Sequence, residues 1–221
     1  MELKDYQLRV LDDLTEYLEK LGQTQNLSDA FKTYWLDKGV AKMAPYKNNL
    51  PGVPHVCAKV PTAGGKTFIA VNALERIFRA LEQFNPQRPN FVVWLVPSLT
   101  ILEQTVRNLS NPVHPYRQRL NQLFQNRVSV YEKRDLLIGA GFSPDTVNDQ
   151  LSIVVMTFDS LRARNKEDRK VYQENGYLAP FTPTHLEQSS WLLPDYDPSS
   201  LINFSRIFSN VVLPSSVFGC A

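Results

Sequence analysis

Val60-Pro61-Thr62-Ala63-Gly64-Gly65-Lys66-Thr67 is the stretch on which the fold turns. It lies between segments of different period. Before it, His55-Val56-Cys57-Ala58-Lys59-Val60 is a short apolar run that predicts a strand. After it, Ala70, Leu74, Ile77, Phe78 and Leu81 recur at spacings of three and four, which predicts a helix. A glycine turn between strand and helix suits a polyphosphate. Such an anion needs several backbone N–H groups aimed into one hollow, and glycines let the chain curl closely around it. The helix adds its unpaired first N–H groups and the positive end of its dipole. Lys66 then places a charge on the β- and γ-phosphates of ATP, and Thr67 offers a hydroxyl to Mg²⁺. Thr62, Ala63, Gly64 and Gly65 complete the candidate site. The alternative is a glycine turn beside an ordinary surface lysine. The phosphate-loop consensus has glycine where Val60 stands. At Ala63 a left-handed backbone costs roughly 1–2 kcal/mol, because a Cβ is present; Gly64 is expected to absorb part of that strain.

The flanking sequence has the same alternation. Phe91-Val92-Val93-Trp94-Leu95-Val96 is continuously apolar, as in a parallel strand covered on both faces. Pro97 and Ser98 stop it, and Leu99, Leu102, Val106 and Leu109 form a helical face in which Thr100 and Glu103 have capping-box spacing. Tyr116, Leu120, Leu123 and Phe124 predict another helix, and Val128–Tyr131 a short strand. Ser152–Met156 is a further strand, followed by Thr157-Phe158-Asp159-Ser160-Leu161. Near the start, Leu11, Leu14, Leu18 and Leu21 share a helix face; from Gly22 to about Gly52 a short helix and an irregular connection are expected. The order predicts an α/β domain with a mostly parallel sheet. Residues 176–200, rich in Pro, Ser and Thr, read as loop or insertion.

Composition excludes more than it assigns. The 221 residues are 43% hydrophobic and 21% charged, which predicts a packed core. No apolar run approaches the ~20 residues of a membrane span, and no secretory signal is readable, so a cytoplasmic protein is expected. The two cysteines, Cys57 and Cys220, make no disulfide framework. A formal charge of +2 does not argue for nucleic-acid binding. His55, His114 and His185 lack metal-ligand spacing.

In combination these segments resemble the first RecA-like motor domain of superfamily 2 DEAD/DEAH-box helicases, and most of all the Res (helicase) subunit of type III restriction enzymes. The helicase form of the phosphate loop commonly reads x-Pro-Thr-Gly-x-Gly-Lys-Thr; Pro61, Thr62, Gly65, Lys66 and Thr67 agree and Ala63 departs. Leu3-Lys4-Asp5-Tyr6-Gln7 resembles the family's N-terminal Tyr-Gln element. The resemblance implies that Gln7 reads the adenine edge, with Tyr6 packing near the base. Val93–Leu99, with Gln104 beyond, resembles the segment whose turn touches nucleic-acid backbone, which assigns Pro97, Ser98 and Gln104 to DNA. Ile153–Leu161 resembles a later strand-contacting motif, with Thr157 as the contacting hydroxyl and Ser160 capping or packing the next helix. A mixed basic run from Arg162 to Lys170 reads as a solvated helix more readily than as a phosphate contact. The resemblance covers about residues 1–165, taken as the helicase ATP-binding core, with 166–221 as an insertion and a divergent or truncated end. It implies ATP and Mg²⁺ as cofactors, and DNA and a Mod-type methyltransferase as partners.

The family's Asp-Glu pair, which holds Mg²⁺ and orients the attacking water, is missing. Asn210-Val211-Val212-Leu213 looks like the start of the strand that carries it, yet no Asp or Glu follows Asp197. A second RecA-like domain also has no room. The expectation is a RecA-like P-loop domain, incomplete at its C-terminus and shortened from a longer motor. Its last ~15–20 residues are read as diverged or out of frame. It should bind nucleotide weakly and turn over almost none. Two other classes stand beside this one: a non-helicase P-loop enzyme such as a small-molecule kinase, and an inactive structural or interaction fragment.

Overall fold

The computed structural model describes residues 1–47, 54–83, 89–161 and 212–214. The chain divides into two compact units, Met1–Gln87 with Val217–Ala221, and Arg88–Ser216.

The regular elements described in the first unit are helices. Helix α1 spans Asp5–Thr24 and buries Gln7, Leu11, Tyr17 and Leu18. Of the expected leucine stripe, Leu14 and Leu21 are only half-buried, and Tyr17 takes a core position instead. Helix α2 spans Leu27–Asp37, and its N-cap Asn26 accepts from the N–H groups of Ser28 and Asp29 at 2.9 and 3.2 Å. The two helices meet through the edge-on rings of Tyr17 and Tyr34 and through ion pairs from Lys20 to Asp37 and from Lys38 to Asp13 and Glu16. These pairs are solvent-accessible and contribute little stability. Helix α3, Lys66–Glu82, matches the expected helix and buries every side chain from Phe68 to Leu74. Arg76 joins it to α1, donating to the Thr15 hydroxyl at 3.1 Å.

The expected strand at 55–60 does not form. Residues 54–60 are irregular, with His55, Val56 and Cys57 exposed and Val60 buried. An apolar run becomes a strand only when a neighbour takes its backbone groups, and composition alone does not supply that neighbour.

The second unit is a four-stranded sheet with helices. Its strands are β1 (Phe91–Val96), β2 (Val128–Glu132), β3 (Leu151–Thr157) and β4 (Val212–Pro214). Their order is β2-β3-β1-β4, and every pairing is parallel. All residues of β1 and β3 are buried, as a sheet covered on both faces requires. Helix α4 (Leu99–Ser110) and α5 (Pro115–Leu123) follow β1; α6 (Lys133–Ile138) and α7 (Pro144–Asp149) follow β2. The capping of α4 differs from expectation. Ser98 is the N-cap, accepting from the Ile101 N–H at 3.4 Å, and Thr100 already lies inside the helix. Ser98 has extended backbone because Pro97 has just ended the strand, so the hydroxyl reaches the first turn from there.

One face of the sheet carries a cluster in which Phe142 touches Phe91 and Tyr131, with ring centroids 5.6 and 5.4 Å apart. Strand β2 is an edge, and two of its outward backbone groups, the Val128 carbonyl and the Glu132 N–H, are covered. The Arg117 guanidinium donates to the carbonyls of Val128 and Leu109 at 2.7 and 3.3 Å, and the Glu132 N–H donates to Asp135 at 2.8 Å. Such cover discourages pairing with another chain.

Candidate nucleotide site

The turn at 61–67 has the curl expected of it. The Gly64 N–H donates to the Pro61 carbonyl at 3.0 Å, closing a tight turn. Ala63 has φ +61° and Gly65 φ +69°, both left-handed. Gly64 is not left-handed, so the strain stays on Ala63 rather than passing to the glycine beside it. Gly64 is required for a different reason. A Cβ there would lie 2.7 Å from Val60 Cγ1 and 2.9 Å from the Pro61 oxygen. Gly65 is the N-cap of α3, and the first helical bond runs from the Ile69 N–H to the Gly65 carbonyl. The N–H groups of Gly65, Lys66 and Thr67 therefore have no partner among the described residues. Three free donors, a 17-residue helix behind them and the Lys66 ammonium fit a polyphosphate. Thr67 lies on the first turn of the same helix and is half-buried.

The strain at Ala63 gives a prediction. Replacing Ala63 by glycine is expected to raise unfolding stability by about 1 kcal/mol, since the left-handed penalty exceeds the extra unfolded-state freedom of glycine. Urea denaturation measures it; a loss of stability would show that the Cβ is tolerated without strain.

Gln7 is fully buried, 3% exposed, and lies against this turn. Its Nε2 donates to the Gly64 carbonyl at 3.1 Å, and its Oε1 accepts from the Lys4 N–H at 3.0 Å. Tyr6 donates its hydroxyl to the same Gly64 carbonyl at 2.8 Å. The sequence-based reading put Tyr6 near a base through its ring; this polar contact has no signal in the sequence, because it joins residues 58 positions apart.

In the sheet unit, the register pairs Val96 with Thr157. The turns after β1 and β3 consequently share the C-terminal edge of neighbouring parallel strands, and Pro97, Ser98 and Thr157 come together there. Thr157 is buried, 6% exposed, and its Oγ1 accepts from the Ser160 N–H at 3.1 Å, while Ser160 Oγ donates to the Thr157 carbonyl at 2.6 Å. Ser98 is exposed, and its oxygen caps α4. Gln104 is exposed on the second turn of α4. Leu99, expected on the apolar face of α4, is instead 70% exposed, and Ile101 and Phe158 are exposed as well. The run Arg162–Lys170 lies outside the described residues. Strand β4, which falls in the stretch read as the start of the acidic strand, pairs with β1 (Val93 with Val212, Leu95 with Pro214). Among the described residues there is no group of three or more His, Cys, Asp or Glu able to hold a metal ion.

The sheet unit is α/β, with parallel strands and flanking helices, and the family that the chain matches has a RecA-like domain. Residues 1–179 match the family model of the type III restriction enzyme, res subunit, and the chain belongs to that family. The family's domain is helicase-like and ATP-binding, part of a restriction system. Its members generally use ATP and Mg²⁺, interact with DNA and usually pair with a Mod subunit. No curated protein and no solved structure matches the chain. Among the described residues no helix is long and apolar enough to cross a membrane.

Proposed function

We propose that this chain binds ATP–Mg²⁺ at residues 62–67, with 1–165 as its helicase-type core and 166–221 as an insertion and divergent end. The observation that carries the reading is the set of three unpartnered N–H groups, of Gly65, Lys66 and Thr67, opening α3 behind two left-handed residues. Lys66 neutralises the outer phosphates and Thr67 supplies a hydroxyl to the cation, whose charge offsets the anion when bound. Gln7 meets adenine through its amide, exchanging a present partner for the base. Pro97, Ser98, Gln104 and Thr157 contact DNA phosphates, and the sheet edge shared by Pro97, Ser98 and Thr157 supports that assignment for those three. The setting is the cytoplasm, and the partner a Mod-type methyltransferase.

Hydrolysis is a separate matter. No Asp or Glu follows Asp197, so nothing in the sequence stands where the Asp-Glu pair would orient water. A fluorescent ATP analogue titrated at fixed Mg²⁺ is expected to bind saturably, with turnover at background whether or not DNA is added. Absence of saturable binding would overturn the nucleotide reading, and robust DNA-stimulated hydrolysis would overturn the inactive one.

A further inference from the structure

The geometry points to Tyr6 as a positioning residue for the phosphate site, acting through its hydroxyl on one peptide plane. The inference rests on the nucleotide reading above. The Gly64 carbonyl receives two hydrogen bonds, from Tyr6 Oη at 2.8 Å and Gln7 Nε2 at 3.1 Å. Both donors come from the first turn of α1, so the carbonyl is drawn toward that helix. A trans peptide is planar, and its C=O and N–H point in opposite directions. Fixing the Gly64 carbonyl on α1 therefore aims the Gly65 N–H away from α1.

That N–H matters because the loop has few others to offer. The Gly64 N–H is already bonded to Pro61, whereas the Gly65 N–H has no partner among the described residues. Gly65 is thus the one of the two glycines whose donor is open to an anion, and Tyr6 and Gln7 set its direction.

The pair is not redundant. The Gln7 amide is held at its other end by the Lys4 N–H, which requires an oxygen there and so turns Nε2 toward Gly64. A Cβ on Gly65 would come within 2.6 Å of that nitrogen, so Gln7 packs directly on the loop. If adenine claims the Gln7 amide, the Gly64 carbonyl keeps only Tyr6. The Tyr6 hydroxyl is then what holds the loop while the base is engaged. This differs from a Tyr6 ring packed on the base, and the two roles separate cleanly by ligand.

Tyr6→Phe removes the hydroxyl and keeps the ring. In the full 221-residue chain the variant is expected to weaken both inorganic tripolyphosphate and ATP, each with Mg²⁺, by about threefold to tenfold, the value of one hydrogen bond, with the larger loss for ATP, whose base draws Gln7 off the Gly64 carbonyl. Tripolyphosphate has no base, so a loss confined to ATP would place Tyr6 at the base and overturn the inference. No loss for either ligand would overturn it as well. Lys66→Ala is the control for the underlying site: if it too leaves tripolyphosphate binding unchanged, the phosphate reading itself has failed. A second measurement needs no variant. In the ¹⁵N-labelled wild-type chain, tripolyphosphate is expected to shift the Gly65 amide resonance more than that of Gly64; the reverse order would sink the peptide-plane argument even if Tyr6→Phe did not fold.

Discussion

Lys66→Ala is expected to weaken ATP binding by about tenfold to a hundredfold, the cost of losing a hydrogen bond to a charged group. The fold should survive the change. Lys66 is the first residue of α3, it is only half-buried, and alanine is the best helix former. The three backbone donors of the turn remain, so binding should weaken without vanishing. Titration of a fluorescent ATP analogue into wild type and variant at equal Mg²⁺ and salt makes the comparison, with thermal unfolding as the check on folding. An unchanged affinity in a folded variant would mean that phosphate is not held here, and a structural domain would be the reading left.

Phe142→Ala should have the largest effect on stability, about 3–5 kcal/mol, from lost burial and the cavity left behind. Phe142 is 4% exposed and sits between Phe91 at the start of β1 and Tyr131 on the edge strand β2. Leu136 of α6 and Val147 of α7 belong to the same cluster. Removing the ring therefore loosens β1, β2 and both short helices together. Urea unfolding followed by tryptophan fluorescence reports it, since Trp94 on β1 is itself buried. A cost below about 1 kcal/mol would show that the sheet face closes over the gap, against the usual behaviour of tightly packed interiors.

Much of the fold was legible because burial on both faces leaves a plain signature. Phe91–Val96 has no polar residue, and the structure makes it β1 with those bounds. Helix α3 was legible from its stripe and from the glycines before it. Helices α6 and α7 were missed. Each has only 6 residues, too few to show a period, although Ser143-Pro144 and Gly139 are ordinary start and stop signals. The strand expected at 55–60 was misread for the opposite reason: the run has the right composition but forms no ladder.

The sequence by itself determined the chemistry available at residues 61–67, the alternation of strands and helices, and the family, because each depends on residue type and local spacing. Only the tertiary structure decided which contacts aim that chemistry. It put the strain on Ala63, joined Tyr6 and Gln7 to the Gly64 carbonyl, made Thr157 a cap for Ser160, and brought the turns after β1 and β3 to one edge. These are contacts and backbone angles fixed by packing, many of them between residues far apart in the chain. Periodicity reports which face of an element is buried, and it carries no information about what that face meets.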